Sequence, residues 1–160
     1  MAWWRENDLI KPRRELKSGK QVADWLADIG SQLKATGNLI LIGSAALPWH
    51  AHNLGLVGEL PEASMDVYPV TDSDEVAMYG YEALIGSEFE RTHGWHVNLM
   101  PASVLQELPA GWQQRATQKQ IGKLNLQVPA PADLLVPKLK RNEPRDLAHA
   151  EWAKRVGLLG

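Results

Sequence analysis

Cysteine is absent from the 160 residues, which excludes disulfides and thiolate-held metals and leaves the redox compartment open. No apolar run approaches the roughly 18 residues that cross a bilayer, and the opening MAWWRENDLIKPRREL has no apolar stretch long enough for a secretion leader. The cytoplasm, without membrane contact, is the expected compartment. Charge of either sign is not in excess: 17 Lys and Arg against 19 Asp and Glu leave −2. That balance gives no whole-surface attraction to nucleic acid, although local basic patches can still form. Internal repeats and low-complexity tracts are also missing.

What remains is ordinary for one globular domain, with 44% apolar and 22% charged residues and enough chain for a real core. Residues 1–18 are charged and irregular, carrying Trp3-Trp4 and Lys11-Pro12-Arg13-Arg14. They read as an arm ahead of a single domain over 19–160. Val22, Trp25, Leu26, Ile29 and Leu33 follow helical spacing, predicting a helix over about 20–36 with Gly37 as its stop.

The run from 38 to 70, NLILIGSAALPWHAHNLGLVGELPEASMDVYPV, is the most informative. Leu39 to Ile42 form a short apolar strand that suits cover on both faces. Gly43-Ser44 ends it, and the helix formers Ala45, Ala46 and Leu47 follow, so the turn around Ser44 should open a helix whose free N–H groups favour an anion such as phosphate. A second strand at Ser64–Tyr68 puts Asp66 and Tyr68 on one face and Met65 and Val67 on the other. A carboxylate beside a phosphate-binding turn points to Mg2+ between them.

Further along, Thr71-Asp72-Ser73-Asp74 offers N-caps for a helix toward Tyr81 or Ala83. Trp95–Leu99 and Gln113–Thr117 are strand candidates, and Lys123–Val128 alternates cleanly enough to be a firm one. Asp133 falls in the first turn of a helix reaching Lys140. Pro144 opens the last helix, with Ala148, Trp152, Val156 and Leu159 on one face. The fold class is therefore α+β, a small mixed sheet with flanking helices.

The segments IGSAAL, ASMDVYP, YEALIGSEFERTHGWHVNLM, LPAGWQQR and PADLLVPKLKRNEPRDL resemble a bacterial nucleotidyltransferase-like family of unknown specific function. That family is related to the toxin halves of abortive-infection toxin-antitoxin pairs and, more distantly, to minimal and antibiotic-modifying nucleotidyltransferases of the DNA polymerase beta superfamily. The resemblance spans roughly residues 19–158. It implies that Gly43 and Ser44 hold a nucleoside triphosphate tail, that Asp66 is the first metal-holding carboxylate, and that Lys138 is the family's basic position. Tyr68 stands where the second carboxylate is expected, and Asn98 where the third is. A phenol that ionises near pH 10 is a poor ligand for a hard cation, so catalysis by two Mg2+ ions loses much of its anionic support. Glu62, Asp72, Asp74, Glu82 and Glu88 are the substitutes within reach in sequence.

Lys138, Arg141 and Arg145 are spaced by three and four, so two helices running on with little kink would point their cations one way. They either meet triphosphate or form a solvated face, with Arg145 and Asp146 in a local salt bridge. His50-x-His52 and His93-x-x-His96 could chelate a transition metal, but no carboxylate completes a ligand pattern. Trp3-Trp4 could stack bases or dock to a protein, whereas Trp25, Trp95, Trp112 and Trp152 read as core.

Two functions follow. In the first, a nucleotidyltransferase moves a nucleoside monophosphate from a Mg2+-bound triphosphate to a tRNA end, a protein side chain or a small molecule, with an antitoxin-like partner if the acceptor is tRNA. In the second, a pseudoenzyme keeps the fold as a binding or interaction module, favoured by Tyr68 and Asn98.

Overall fold

The first helix, α1 (Gly19–Gln32), starts at a capping box: the Ser18 hydroxyl accepts from Lys20 N–H, and Gln21 reaches back to Ser18 N–H. It buries Val22, Trp25, Leu26 and Ile29, as the spacing predicts. Its end differs from expectation. Leu33 turns extended, the Glu75 carboxylate accepts from the N–H groups of Lys34 and Ala35, and Gly37 is the first residue of a strand rather than a helix stop. This computed structural model describes residues 16, 18–56, 58–61 and 66–159. The Trp3-Trp4 pair, the basic cluster beside it, Glu62, Ser64 and Met65 lie outside the described residues.

The chain continues through β1 (Gly37–Ile42), α2 (Ala46–Asn53), β2 (Asp66–Val70), α3 (Asp74–Glu82), α4 (Glu88–His93) and β3 (His96–Val97). A 3-10 helix (Ala102–Glu107) and a single turn, α5 (Trp112–Arg115), precede the hairpin β4 (Thr117–Ile121) and β5 (Leu124–Val128). The helices α6 (Pro131–Arg141) and α7 (Pro144–Val156) close the chain. Gln113–Thr117 is thus mostly helical, not a strand: Trp112 is buried and Arg115 makes two hydrogen bonds to Asp133, 2.8 and 3.0 Å, which pin the turn and delay the strand to Thr117. The Trp95–Leu99 strand shrinks to two residues.

The five strands form one mixed sheet in the order β3-β2-β1-β5-β4, with β1 parallel to β5, β2 parallel to β3, and the β1–β2 and β4–β5 pairs antiparallel. The fold class is α+β, as the sequence indicates. Pairing Ile42 with Tyr68, Leu39 with Leu126 and Val67 with Val97 sorts the side chains by face. Leu39, Leu41, Val67, Val97, Leu124, Leu126 and Val128 are buried with α1, α2, α6 and α7. Asn38, Ile40, Ile42, Asp66, Tyr68 and His96 fall on the opposite face by the period of two. So β1 is not covered on both sides: its burial alternates along the strand. The less buried face is where the candidate residues gather.

Trp25, Trp49, Trp95, Trp112 and Trp152 are all buried. Trp95 meets Trp25 and Phe89 edge-on, at centroid distances of 6.2 and 4.8 Å, the arrangement that aromatic quadrupoles favour. No helix among the described residues is long and apolar enough to cross a membrane.

Candidate functional site

Gly43 leaves β1 with φ 81°, a left-handed conformation that costs L-residues roughly 1–2 kcal/mol. A Cβ there would lie 2.6 Å from Tyr68 Cδ2. Glycine therefore lets the turn pass close over the Tyr68 ring. Gly43→Ala should lose about 2 kcal/mol or more of stability, read as a lower urea midpoint, and should displace Tyr68.

The turn does not open the helix at Ser44. Helix α2 begins at Ala46, its N-cap Ala45 makes no side-chain cap, and Ala46 and Leu47 N–H bond to Gly43 and Ser44 carbonyls. Ser44, buried, instead accepts a 2.6 Å hydrogen bond from Lys138 Nζ. Lys138 also donates to His149 Nδ1 at 2.8 Å, and Asp146 Oδ1 lies 3.6 Å away. Lys138 is only 3% exposed. Burial pulls its pKa from 10.5 down to about 8, against the raising effect of Asp146 and with help from the positive charges of Arg141 and Arg145.

Asp146 is the buried counter-charge. Burial pushes its carboxyl up, but the hydrogen bond from Arg141 Nη2, 2.8 Å, and the charges of Arg141 and Lys138 more than reverse this and hold it below its ordinary value. Its partner is therefore Arg141 together with Lys138, not the adjacent Arg145. Nor do the two helices run on: Asn142 takes a left-handed φ of 54° and Pro144 starts α7 afresh. The α7 helix packs back on α6, and Lys138, Arg141 and Arg145 still line one cleft of about 320 Å3. Gly43, Ser44 and Tyr68 form its head, and Met100, Val104 and Leu108 an apolar wall.

Asp66 sits at the edge of this cleft through Tyr68, whose hydroxyl donates to Asp66 Oδ2 at 2.6 Å. Burial first, then this hydrogen bond and the Asp66 charge, push the phenol up to about 12. Tyr68 thus stays protonated at neutral pH and occupies one Asp66 oxygen. The other, Oδ1, lies 3.8 Å from His96 Nε2, while His96 Nδ1 is 2.7 Å from Glu90. Asn98 is exposed; continuing the β2–β3 register by one residue brings it beside Tyr68.

Of the substitutes, Asp72 lines a separate hollow with Asn38 and Gln118, Asp74 and Glu82 lie on α3, and Glu88 pairs with Arg91. The histidine pairs are not chelates. His50 is buried with Nε2 2.7 Å from the Pro129 carbonyl, and His93 stacks on Phe89. Among the described residues, no three His, Asp or Glu side chains are grouped to hold a metal. Two Mg2+ ions need several anionic oxygens around them. Asp66, half committed to a phenol, does not fit that centre.

Sequence reasoning passed over Glu107, which lines the cleft, and the roles of Asp146 and His149, which contact Lys138 from behind it. A signal existed for two of them. Asp146, His149, Trp152 and Val156 keep helical spacing, and the first three are the buried face of α7, one step round from the face through Ala148 and Leu159. Polar residues continuing an apolar stripe mark a buried polar contact.

Residues 20–156 match the model of a family described as nucleotidyltransferase of unknown function (DUF6036), and the chain belongs to that family. Its fold is nucleotidyltransferase-like, and enzymes of this kind generally use Mg2+. No curated protein and no solved structure matches the chain.

Proposed function

We propose that the protein binds a nucleoside triphosphate in this cleft by direct contact of the phosphates with Ser44, Lys138, Arg141 and Arg145, and that it acts as a binding module that does not turn the nucleotide over. The observation that carries this reading is the buried Lys138 ammonium between Ser44 and His149, with two arginines lining the same cleft. Charge-assisted hydrogen bonds of this type are the strong ones for phosphate. Gly43 lets the backbone approach, and the apolar wall leaves room for a base or ribose. Tyr68 and Asn98, in place of carboxylates, supply no anionic oxygen for transfer.

Melting the protein with each of the four triphosphates should raise the melting temperature, while pyrophosphate release with Mg2+ stays at the level of a protein-free control. Pyrophosphate release that disappears in Asp66→Asn would overturn the module reading.

Binding should also depend on pH with a defined sign. An anion prefers the charged form of Lys138, which loses its proton near pH 8. Affinity should then fall as pH rises above 8, by up to about tenfold per unit, and the slope should vanish in Lys138→Met. Stability of the free protein moves the other way. Between about 8 and 10.5 the unfolded chain keeps this proton and the native state has lost it, so the contribution of this group rises with pH in that window.

A second reading, transfer of a nucleoside monophosphate to a tRNA end, a protein or a small molecule, is supported by Asp66 lying at the cleft edge beside His96 and by membership of the family. It requires a partner chain, such as an antitoxin-like protein or a second subunit, to bring carboxylates to Asp66. Labelled nucleotide appearing on tRNA only in the presence of such a partner would support it.

A further inference from the structure

We infer that His149 is a positioning residue of the phosphate site: it holds the Lys138 ammonium group against Ser44 at the head of the cleft. This rests on the nucleotide-binding reading above. An ammonium group has three donors. Ser44 Oγ takes one at 2.6 Å and His149 Nδ1 takes another at 2.8 Å, whereas Asp146 Oδ1 at 3.6 Å is an ion-pair partner beyond hydrogen-bond reach. The third N–H makes no hydrogen bond as short as these, and the nearest further acceptor is Asp146 Oδ1.

The chemistry of the acceptor matters. A protonated lysine donating to Nδ1 requires that nitrogen to be bare, so the imidazole is neutral with its hydrogen on Nε2. A neutral acceptor orients the ammonium without cancelling its charge. A carboxylate at the same distance would neutralise Lys138 and compete with phosphate. The carboxylate that is present, Asp146, is set back and shared with Arg141. His149 has no exposed surface, and its backbone is fixed by α7, so the acceptor cannot swing away.

The groups that face Lys138 come from every element around the cleft. They are Arg141 on its own helix, Asp146, His149 and Arg145 on α7, Ser44 after β1, Tyr68 on β2, and Glu107 on the 3-10 helix. Removing His149 takes away an acceptor that only the charged lysine uses fully. Lys138 should then give up its proton at lower pH, and the nucleotide-binding range should contract with it.

The test uses the full chain with lysines labelled with carbon-13 at Cε, the Lys138 signal being assigned by its loss in Lys138→Met. Titration without ligand is compared for wild type, His149→Phe, His149→Ala and His149→Asn, with folding checked by circular dichroism. The acceptor-free variants Phe and Ala should lower the Lys138 midpoint by about one pH unit, the worth of a hydrogen bond to a charged group. Asn, which keeps an acceptor oxygen, should restore it. At pH 8 the acceptor-free variants should bind triphosphate about fivefold more weakly, as the charged fraction falls. An unchanged Lys138 midpoint in a folded acceptor-free variant, or an Asn variant no better than Ala, would overturn the role of His149. Wild type that titrates as expected yet binds no triphosphate would instead overturn the nucleotide reading and leave the His149–Lys138 coupling standing.

Discussion

Lys138→Met is expected to weaken triphosphate binding by about 10- to 150-fold, the worth of one hydrogen bond to a charged group in a poorly solvated site. The lysine is nearly fully buried, and its head lies between Ser44 and His149, so neither bulk water nor a neighbouring side chain can replace it. Methionine fills a similar volume, and Asp146 keeps its 2.8 Å hydrogen bond from Arg141. The fold should therefore survive, and the loss should appear in affinity rather than in the denaturation midpoint. Lys138→Arg should not restore binding, because a planar guanidinium is longer and cannot make the same contacts to Ser44 and His149. Titration calorimetry on the three proteins at pH 7 checks this. Equal affinity for wild type and Lys138→Met would remove the lysine from the binding account. Arg141, with an exposed side chain, should matter less and in a salt-dependent way.

Asp146→Ala should produce the largest loss of stability, about 3 to 5 kcal/mol, because it breaks a buried ion pair from one side. For a chain of this size that corresponds to a fall in melting temperature of roughly 10 °C. The carboxylate is 2% exposed, accepts from Arg141, and is the counter-charge nearest to Lys138. Without it, a buried ammonium and two arginines repel each other around one cleft. Part of the loss should be relieved at alkaline pH, since a lysine already pulled down to about 8 can discharge there. The acid side carries the converse sign: Asp146 titrates below its ordinary value in the folded state, so its contribution is present at neutral pH and disappears as pH falls through that lowered value. Urea denaturation at pH 7 and pH 9.5 separates the two effects. A variant as stable as wild type at both would mean that the pair contributes nothing.

The sequence carried the fold where a local pattern was unambiguous. The alternation of Leu124–Val128, the 3.6-residue stripe of α1, the N-cap of α3 and the end of β1 before Gly43-Ser44 all became the expected elements. It misled where a distant side chain overrides local preference. The Glu75 carboxylate ends α1 early by taking the Lys34 and Ala35 N–H groups. Arg115 reaches 18 residues ahead to Asp133 and turns a would-be strand into a helical turn. The site shows the same division. Gly43, Ser44, Lys138, Arg141 and Arg145 were legible as basic or turn residues in order, and all line one cleft. Ser44 was legible as a cap but serves as an acceptor for Lys138, a contact between residues 94 apart that no local pattern encodes. The helical spacing of α7 could mark His149 as a buried polar residue but not name Lys138 as its partner, because that contact depends on α7 folding back onto α6.

The placement of Asp66 at the edge of the cleft, outside its lining, is the feature that divides binding from transfer. Asp66 does not line the cleft, and the Tyr68 hydroxyl holds one of its oxygens. A triphosphate held by cations alone carries more charge without Mg2+ than with it, so removing the metal should preserve or strengthen binding. The most direct measurement is therefore calorimetry of wild type and Asp66→Asn with each nucleoside triphosphate, once in EDTA and once with excess Mg2+. The account predicts binding in EDTA at least as tight as with Mg2+, and the same affinity for Asp66→Asn. Binding that appears only with Mg2+ and is lost in Asp66→Asn would contradict it and make Asp66 a metal ligand.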